Sequence, residues 1–298
     1  MLDIKSKLSG VFVPMVTPFR NDEILYAGIR ENVEKWNATG LRGYFVLGTN
    51  GEYKSLSVIE RFRVLDTVVR SSASDKIIMA GCGAESTRET LDLVREAAYR
   101  GASMASLLMP SFFAKSINED VMVRFIVEVA DHAPIPVVLY NNPAVAAGVT
   151  ITYNVLRRVK DHPNVMGIKD SSKDTYKENL KACSEKFFVL AGSANYFLDL
   201  LENGGTGGVL SLANVFPDAC VHLYRVFMEG KKEEAKRLNE TLVTLNKAVS
   251  GTFGVAGVKA AMELAGYIGG VPRRPLLELT ETQKESLRNK LKDLGFLK

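Results

Sequence analysis

The sequence predicts a (β/α)8 barrel followed by a C-terminal helical extension. Two observations predict the barrel: eight short apolar runs recur through the first three quarters of the chain, and segments with helical periodicity separate them. Successive runs lie about 20 to 35 residues apart, which is the size of a βαβ unit. Beyond Gly230 the strand pattern stops, which places the barrel in residues 1–230 and a three-helix extension in 231–298. An open, doubly wound sheet is the structural alternative, although such sheets rarely need eight near-equal units.

The predicted strands are apolar runs rich in β-branched residues. They are, in order, 11–16, 44–48, 76–82, 102–109, 135–141, 165–170, 187–192 and 207–212. Helical periodicity separates them, for example at 59–69, 87–99 and 120–130. Ser86 and Glu89 form a predicted capping box where the segment 87–99 begins. The three helices of the extension are predicted at 231–249, 255–267 and 280–294.

Composition and charge are those of an ordinary globular enzyme. The chain has 298 residues, 46% of them hydrophobic and 24% charged, which is ample for a large core. The net charge of +4 is spread thinly and no basic stripe is interleaved with aromatic residues, so no nucleic-acid partner is expected. The apolar stretch 102–114 is too short to span a bilayer, and residues 1–5 carry no signal-peptide core. Together with three widely spaced cysteines, this predicts a reduced cytoplasmic protein with no membrane partner.

The most informative stretch is 165–170, because its apolar run ends on Lys169. In a (β/α)8 barrel the active site lies at the carboxyl ends of the strands. An amine at the end of a buried strand is partly desolvated, which lowers its pKa and favours the neutral form. A neutral amine can attack a ketone or aldehyde and form a Schiff base. The alternative is a lysine whose ammonium simply extends into solvent from a strand end.

Three further residues are predicted at the same edge of the barrel. Tyr140 ends the fifth predicted strand, and Thr49 and Asn50 follow the second. A Schiff-base lyase needs an amine, a nearby phenol to shuttle protons, and hydroxyl or amide donors for a substrate carboxylate. Each feature alone also fits a core tyrosine or a tight turn, so the prediction depends on their joint placement. Glu52 is interpreted as a carboxylate stabilised by a helix dipole rather than as a base.

The remaining motifs predict no metal and no organic cofactor. The glycine-rich segment 204–208 resembles a phosphate cradle, but it precedes the eighth strand and is interpreted as a tight turn. Gly81 and Gly83 end a strand without a dinucleotide fingerprint. No two of the three histidines have metal-ligand spacing, and none is placed for a Ser-His-Asp relay.

These motifs resemble those of the dihydrodipicolinate synthase / N-acetylneuraminate lyase superfamily. The similar segments are 10–19, 48–52, 140–143 and 167–171, and the resemblance runs in order through residues 8–280. It implies a (β/α)8 barrel with a C-terminal three-helix extension, usually assembled as a homotetramer that is a dimer of dimers. It also implies that pyruvate, or a 2-oxo acid that releases pyruvate, is bound as an imine.

The resemblance also implies a role for individual residues. Lys169 would form the Schiff base, and Tyr140 would donate and accept protons. Thr49 would relay protons and, with Asn50, hold the substrate carboxylate. Two residues would line the pyruvate pocket: Gly192 and Leu210.

The sequence departs from the dihydrodipicolinate synthases at two places. Val145 stands where those enzymes carry an arginine that binds the aldehyde's carboxylate, and a valine cannot make the charge-assisted bonds of a guanidinium. Phe112 and Phe113 stand where they carry two tyrosines, one of which enters the neighbouring subunit's proton relay. Within the superfamily the chain is more similar to the 4-hydroxy-2-oxoglutarate aldolase branch, which nevertheless keeps tyrosines where Phe112 and Phe113 stand.

The favoured hypothesis is therefore a class I aldolase that uses pyruvate and an aldehyde, or cleaves a 4-hydroxy-2-oxoglutarate-like or 2-oxo sugar acid. One alternative is a 4-hydroxy-tetrahydrodipicolinate synthase that condenses pyruvate with aspartate semialdehyde. Another is a non-catalytic barrel that binds a 2-oxo acid as a sensor, although a binder needs no proton relay of Tyr140, Thr49 and Lys169. A cofactor-free isomerase of phosphorylated substrates has less support, because no phosphate loop follows the seventh or eighth strand.

Overall fold

Eight parallel strands form a closed barrel in the computed structural model, which describes residues 8–297. The barrel strands are β1 (Gly10–Pro14), β4 (Gly43–Val46), β5 (Ile77–Gly81), β6 (Met104–Leu108), β7 (Val137–Asn141), β8 (Val165–Asp170), β9 (Phe188–Ala191) and β10 (Gly207–Val209), while β2 (Phe19–Arg20) and β3 (Glu23–Ile24) form a short antiparallel hairpin. Around the barrel the order is β1, β10, β9, β8, β7, β6, β5 and β4. The predicted (β/α)8 barrel is confirmed, whereas residues 1–5, where no signal-peptide core was expected, lie outside the described residues.

Helices alternate with the barrel strands and then continue alone to the C-terminus. They are α1 (Tyr26–Asn37), α2 (Val58–Ser71), α3 (Thr87–Tyr99), α4 (Glu119–His132), α5 (Tyr153–Val159), α6 (Tyr176–Asn179), α7 (Phe197–Glu202), α8 (Pro217–Met228), α9 (Lys232–Asn246), α10 (Gly254–Leu264) and α11 (Glu281–Asp293). The three predicted C-terminal helices are present as α9, α10 and α11, and a π-helical turn, Lys247–Gly251, follows the first of them. Among the described residues, no helix combines the length and the apolar character that crossing a bilayer requires.

The chain divides into two compact units, and the boundaries between them differ from the predicted domain boundary. The first unit contains residues 8–10 and 77–209, and the second contains 11–76 and 210–297. The boundary at residue 230 remains a prediction.

In the first unit, β5 to β10 are parallel neighbours. Every residue of β6, β7 and β8 is buried, which explains why these strands are near-continuous apolar runs in the sequence. Half of the capping box predicted for α3 is present: the Ser86 hydroxyl accepts a hydrogen bond from the backbone N–H of Glu89 at 3.2 Å. The first unit thus holds a buried parallel sheet, and a side-chain cap marks where α3 begins.

In the second unit, β1 lies parallel to β4, and the hairpin and the C-terminal helices complete the fold. Trp36 of α1 is fully buried and stacks on Tyr267, with ring centroids 5.7 Å apart. Gly28 lets α1 lie close to the segment after α10, because a Cβ there would be 2.6 Å from a methyl carbon of Ile268. The N-terminal and C-terminal pieces of the chain therefore share one apolar core in this unit.

Candidate active site

A one-residue irregularity between β7 and β8 places Tyr140 beside Lys169. Val137 pairs with Val165, but the next residue, Val138, pairs with Gly167, so β8 carries one extra residue at this point. From there the register continues unbroken to Tyr140, which pairs with Lys169. Without the bulge, Tyr140 would pair with Ile168 instead of Lys169. Successive side chains of a strand point to opposite faces of the sheet, so Tyr140 and Lys169 would then not be paired on the same face.

Lys169 is almost completely buried at the end of its strand. Lys169 is only 4% exposed, and its Nζ lies 4.0 Å from the centre of the Tyr140 ring. Burial lowers the pKa of Lys169 from its ordinary value of 10.5, and interaction with Tyr140 opposes the fall without cancelling it. The structure thus agrees with the sequence-based expectation of a desolvated amine rather than a lysine extended into solvent.

Tyr140 is equally buried, and its hydroxyl is held by a neighbour in the chain. The side-chain amide of Asn142 donates a hydrogen bond of 2.8 Å to the Tyr140 hydroxyl oxygen. A phenol can accept one hydrogen bond while it donates another, so the Asn142 contact orients the hydroxyl without removing its capacity to transfer a proton. An amine and an oriented phenol are therefore in contact on neighbouring strands.

Thr49 and Asn50 lie in a loop, residues 47–52, that follows β4 in the second unit. Two non-glycine residues at the ends of this loop, Leu47 and Glu52, have positive φ angles of 60° and 52°. Such left-handed residues are costly and are typical of functional loops. Thr49 and Asn50 are half-buried, and the Asn50 amide donates to the Ser211 hydroxyl at 2.8 Å. The loop is thus strained and held in place, as a ligand-binding loop requires.

The sequence-based interpretation of Glu52 needs correction. Glu52 does precede a short 3-10 helix, Tyr53–Ser55, but its side chain makes no capping bond there. Its carboxylate instead lies 2.5 Å from the Nζ of Lys259 and accepts the backbone N–H of Arg273 at 2.9 Å. A direct ion pair inside the protein is a far stronger partner for a carboxylate than a helix dipole.

Gly192 and Leu210, the two predicted pocket residues, follow β9 and β10. The Gly192 N–H donates to the Asp170 carbonyl oxygen at 2.7 Å, and a Cβ on Gly192 would lie only 2.0 Å from the Ser171 hydroxyl. Only glycine fits at this position. Leu210 is fully buried and its N–H donates to the Phe12 carbonyl at 3.0 Å. Their contact with a substrate remains a prediction.

A buried polar network behind Lys169 was missed by the sequence analysis. The Asp170 carboxylate accepts hydrogen bonds from the Asn141 amide (3.1 Å), the Ser172 N–H (2.8 Å) and the Asn179 amide (2.7 Å). Asn141 also accepts the N–H of Ile151 at 3.0 Å, so the network fastens the ends of β7 and β8 to the following helices. Burial raises the pKa of Asp170 to about 6, although these three donors favour the ionised form.

We expect Asp170→Asn to change how stability depends on pH. Between pH 3.8 and about 6 the folded protein keeps a proton on Asp170 that the unfolded chain has lost, so this group's contribution falls as the pH rises. Because asparagine does not titrate, the stability advantage of the parent over the variant should be larger at pH 4 than at pH 7, by up to about 3 kcal/mol. Urea unfolding at both pH values measures this difference. If the stability advantage of the parent instead grows with pH, the three hydrogen-bond donors lower the pKa of Asp170 by more than burial raises it.

The two departures from the synthase pattern lie on exposed turns. Val145 is 42% exposed and ends the 3-10 helix Pro143–Val145. Phe112 and Phe113 are 79% and 71% exposed, and their rings meet edge to face with centroids 5.0 Å apart. The Glu85 carboxylate holds this turn by accepting the N–H groups of Ser111 and Phe112, each at 2.8 Å.

Comparison with known proteins agrees with this architecture. The chain matches the model of the Dihydrodipicolinate synthetase family over residues 7–294. It is 32% identical to a 4-hydroxy-tetrahydrodipicolinate synthase of Methanopyrus kandleri, covering 98% of each chain. It is 30% identical to a probable mitochondrial 4-hydroxy-2-oxoglutarate aldolase of Emericella nidulans, covering 94% of this chain and 92% of the relative.

Comparison with solved structures points to the same family. The crystal structure of dihydrodipicolinate synthase from Thermotoga maritima superposes with a TM-score of 0.91 at 28% identity, covering 98% of this chain and 100% of the other. The family match spans nearly the whole chain, and the relatives are lyases and aldolases. The protein is therefore an enzyme of the dihydrodipicolinate synthetase family.

Proposed function

We propose that the protein is a class I aldolase that makes or breaks a carbon–carbon bond in a 2-oxo acid through an imine on Lys169. The observation that carries the proposal is the contact between the desolvated Lys169 amine and the ring of Tyr140, at 4.0 Å. Schiff-base catalysis needs an amine that loses its proton readily beside a group that moves protons, and the lowered pKa of Lys169 next to the Tyr140 phenol supports both requirements. A sensor that only binds a 2-oxo acid has no need for a buried amine with a lowered pKa.

In the cleavage direction, Lys169 Nζ attacks the 2-oxo carbon and water leaves as the imine forms. Tyr140 gives its proton to the hydroxyl that leaves as water, and the protonated imine then withdraws the electron pair of the C3–C4 bond while the 4-hydroxyl gives its proton to the Tyr140 phenolate. The C4 fragment then leaves as an aldehyde and the remaining enamine takes a proton at C3. Water hydrolyses the imine, which releases pyruvate and restores the amine. In this scheme Thr49 relays protons, Asn50 helps to bind the substrate carboxylate, and Gly192 and Leu210 line the pocket.

The proposed substrate is a 4-hydroxy-2-oxoglutarate-like acid or a 2-oxo sugar acid. Within this choice Val145 favours a 2-oxo sugar acid, because its exposed isopropyl group offers no cation to a second carboxylate such as the one that 4-hydroxy-2-oxoglutarate carries. The similarity to the Emericella nidulans aldolase supports it as well. The second candidate is the condensation of pyruvate with aspartate semialdehyde, which is favoured by the similarity to the Methanopyrus kandleri synthase.

We expect aspartate semialdehyde to be a poor partner for this enzyme. A carboxylate that is desolvated without a cation loses several kcal/mol, and about 3 kcal/mol in the transition state lowers kcat/KM by about two orders of magnitude. The measurement is kcat/KM for pyruvate plus the semialdehyde, set against cleavage of 4-hydroxy-2-oxoglutarate and of 2-oxo sugar acids. The Val145→Arg variant is the matched test, since a guanidinium at this turn should raise the semialdehyde rate and leave cleavage of 2-oxo sugar acids, which carry no second carboxylate, unchanged.

If condensation with the semialdehyde is the fastest of these reactions in the parent, the interpretation of Val145 is wrong. Another cation, such as Arg42 or Lys115, would then be the group to replace. An unchanged semialdehyde rate in Val145→Arg would likewise argue against a carboxylate site at this turn.

The proposal includes a homotetramer built as a dimer of dimers and a reduced cytoplasmic setting. Phe112 and Phe113 support a subunit contact, because two adjacent exposed aromatic side chains on one turn are typical of an interface. The cysteines support the reduced setting, since none of Cys82, Cys183 and Cys220 takes part in a disulfide. Light scattering of the purified protein tests the assembly.

A further inference from the structure

A buried ammonium group in the C-terminal extension contacts the loop that carries Thr49 and Asn50. Lys259 lies on α10, and its side chain is only 1% exposed. Its Nζ lies 2.5 Å from the Glu52 carboxylate and donates to the carbonyl oxygens of Thr17 (2.7 Å) and Val271 (2.8 Å). Glu52, whose side chain is 3% exposed, is the last residue of the loop 47–52.

The three contacts of Lys259 match the three protons of an ammonium group. Burial lowers the pKa of Lys259 to about 8, and the Glu52 carboxylate opposes the fall while Arg273 adds to it. At pH 7 the ammonium form therefore predominates. A charged group with all its donors paired is directional, so it fixes its partners in position more strictly than an apolar contact of the same size.

The Glu52 carboxylate is held on its other side as well. Its second oxygen accepts the N–H of Arg273, and the Arg273 guanidinium makes a bidentate contact with Glu60 at 2.9 and 2.7 Å. Arg273 also donates to the Ser55 carbonyl at 2.9 Å. Glu52 and Ser55, at the two ends of the turn 52–55, are thus both hydrogen-bonded to Arg273, in the segment that follows α10.

The loop needs such support because its backbone is strained. Glu52 has a left-handed φ of 52°, and the preceding turn is closed by the Gly51 N–H on the Gly48 carbonyl at 3.1 Å. Thr17, whose carbonyl accepts from Lys259, also donates its hydroxyl to the Gly51 carbonyl at 2.8 Å. One buried cation therefore stabilises the loop through Glu52 directly and through Thr17 indirectly.

We propose that Lys259 is a positioning residue for 2-oxo-acid binding: through its ion pair with Glu52 it sets the position of Thr49 and Asn50. This inference rests on the proposed function, in which Asn50 helps to bind the substrate carboxylate and Thr49 relays protons. It assigns to the C-terminal helices a part in substrate affinity and in proton relay, exerted only through the loop 47–52. Lys259 touches no reacting atom in this scheme.

The test compares Lys259→Met, Glu52→Gln and the double variant Glu52→Leu/Lys259→Met with the parent. The readout is the pyruvate concentration that gives half-maximal borohydride-trapped adduct on Lys169, together with kcat and KM for cleavage. We expect the half-saturating concentration and KM to rise about 10- to 100-fold, as for loss of an oriented carboxylate contact, and kcat to fall as well, because Thr49 relays protons in the proposed reaction. The double variant should be more stable than Lys259→Met, since an apolar pair leaves no unpaired buried charge, yet keep the weak pyruvate binding.

Lys76→Met is the matched control. Lys76 is also a buried lysine that donates to two carbonyl oxygens, those of Thr39 (3.1 Å) and Leu41 (3.0 Å), and these lie outside the loop 47–52. This control should lose stability without losing pyruvate affinity.

Three outcomes would overturn the inference. One is a half-saturating pyruvate concentration within twofold of the parent in Lys259→Met or, if that variant does not fold, in Glu52→Gln. Another is recovery of parental affinity together with stability in the double variant, and the third is an equal loss of affinity in Lys76→Met. Absence of any adduct in the parent is a different result, because it refutes the imine mechanism itself.

Discussion

Borohydride reduction in the presence of pyruvate is expected to fix a single adduct, and peptide mapping should place it on Lys169. The Lys169→Arg variant should form no adduct and lose turnover by more than about four orders of magnitude, because a guanidinium stays protonated and cannot act as the nucleophile. The buried position and lowered pKa of Lys169 are the physical reason for expecting the reaction at this amine. Mass spectrometry of the reduced protein measures the adduct directly.

The control for this experiment is a lysine that is buried but lies elsewhere in the fold. Lys76→Arg should form the pyruvate adduct as the parent does, since the Lys76 ammonium group donates hydrogen bonds to the carbonyl oxygens of Thr39 and Leu41 and has no part in the proposed reaction. An adduct on a second lysine, or trapping that survives in Lys169→Arg, would contradict the mechanism.

Tyr140→Phe is expected to slow turnover by about two to four orders of magnitude, the usual range for loss of a general acid or base. The substitution removes one hydroxyl and keeps the ring against which Lys169 packs, so the fold and the imine should persist. The measurement is kcat together with adduct formation. A large fall in kcat with trapping retained separates proton transfer from nucleophilic attack.

Tyr44→Phe provides the comparison for a tyrosine with a structural role. Its hydroxyl donates to the Asn37 side chain at 2.7 Å, so its loss should cost about 1 kcal/mol of stability and leave kcat within a few-fold of the parent. If Tyr140→Phe behaves like Tyr44→Phe, another group shuttles the proton.

The strands were predictable from sequence because the barrel buries both of their faces. The run Val165–Asp170 was predicted with both ends correct, since every residue in it is buried. The eighth run was predicted too long: β10 ends at Val209, and a 3-10 helix, Ser211–Asn214, begins two residues later. Leu210 and Leu212 are buried in that turn just as they would be in a strand, so apolar content alone could not distinguish the two.

The parts of the site that sequence reasoning missed depend on contacts between distant residues. The bulge that pairs Tyr140 with Lys169 is a one-residue offset, and no local pattern encodes it. Asp170 was expected at a strand end, and only the packing shows that its carboxylate accepts a hydrogen bond from Asn179, nine residues further along the chain. Lys259 did leave a signal, because it is the one cation in the largely apolar helix Gly254–Leu264, whose other charged residue is Glu263.

The discontinuous second unit has a consequence for how the protein is made. Residues 11–76 leave the ribosome early, but Glu52 is separated by 221 residues from Arg273, with which it later bonds. At about 5 to 20 residues per second, the carboxylate waits about 10 to 45 seconds for that partner. The first unit, by contrast, is nearly continuous and its strands are complete once Val209 has been synthesised.

Translation therefore finishes the part of the chain that holds Lys169 and Tyr140 before it finishes the part that holds Thr49. A nascent chain, or a fragment that stops before α10, would carry every residue assigned here to catalysis and still lack Lys259 and Arg273. Such a chain would leave the Glu52 carboxylate either solvated, with the loop released, or buried at a cost of several kcal/mol. An enzyme with a fully supported Thr49–Asn50 loop is therefore expected only after the last quarter of the chain has been synthesised.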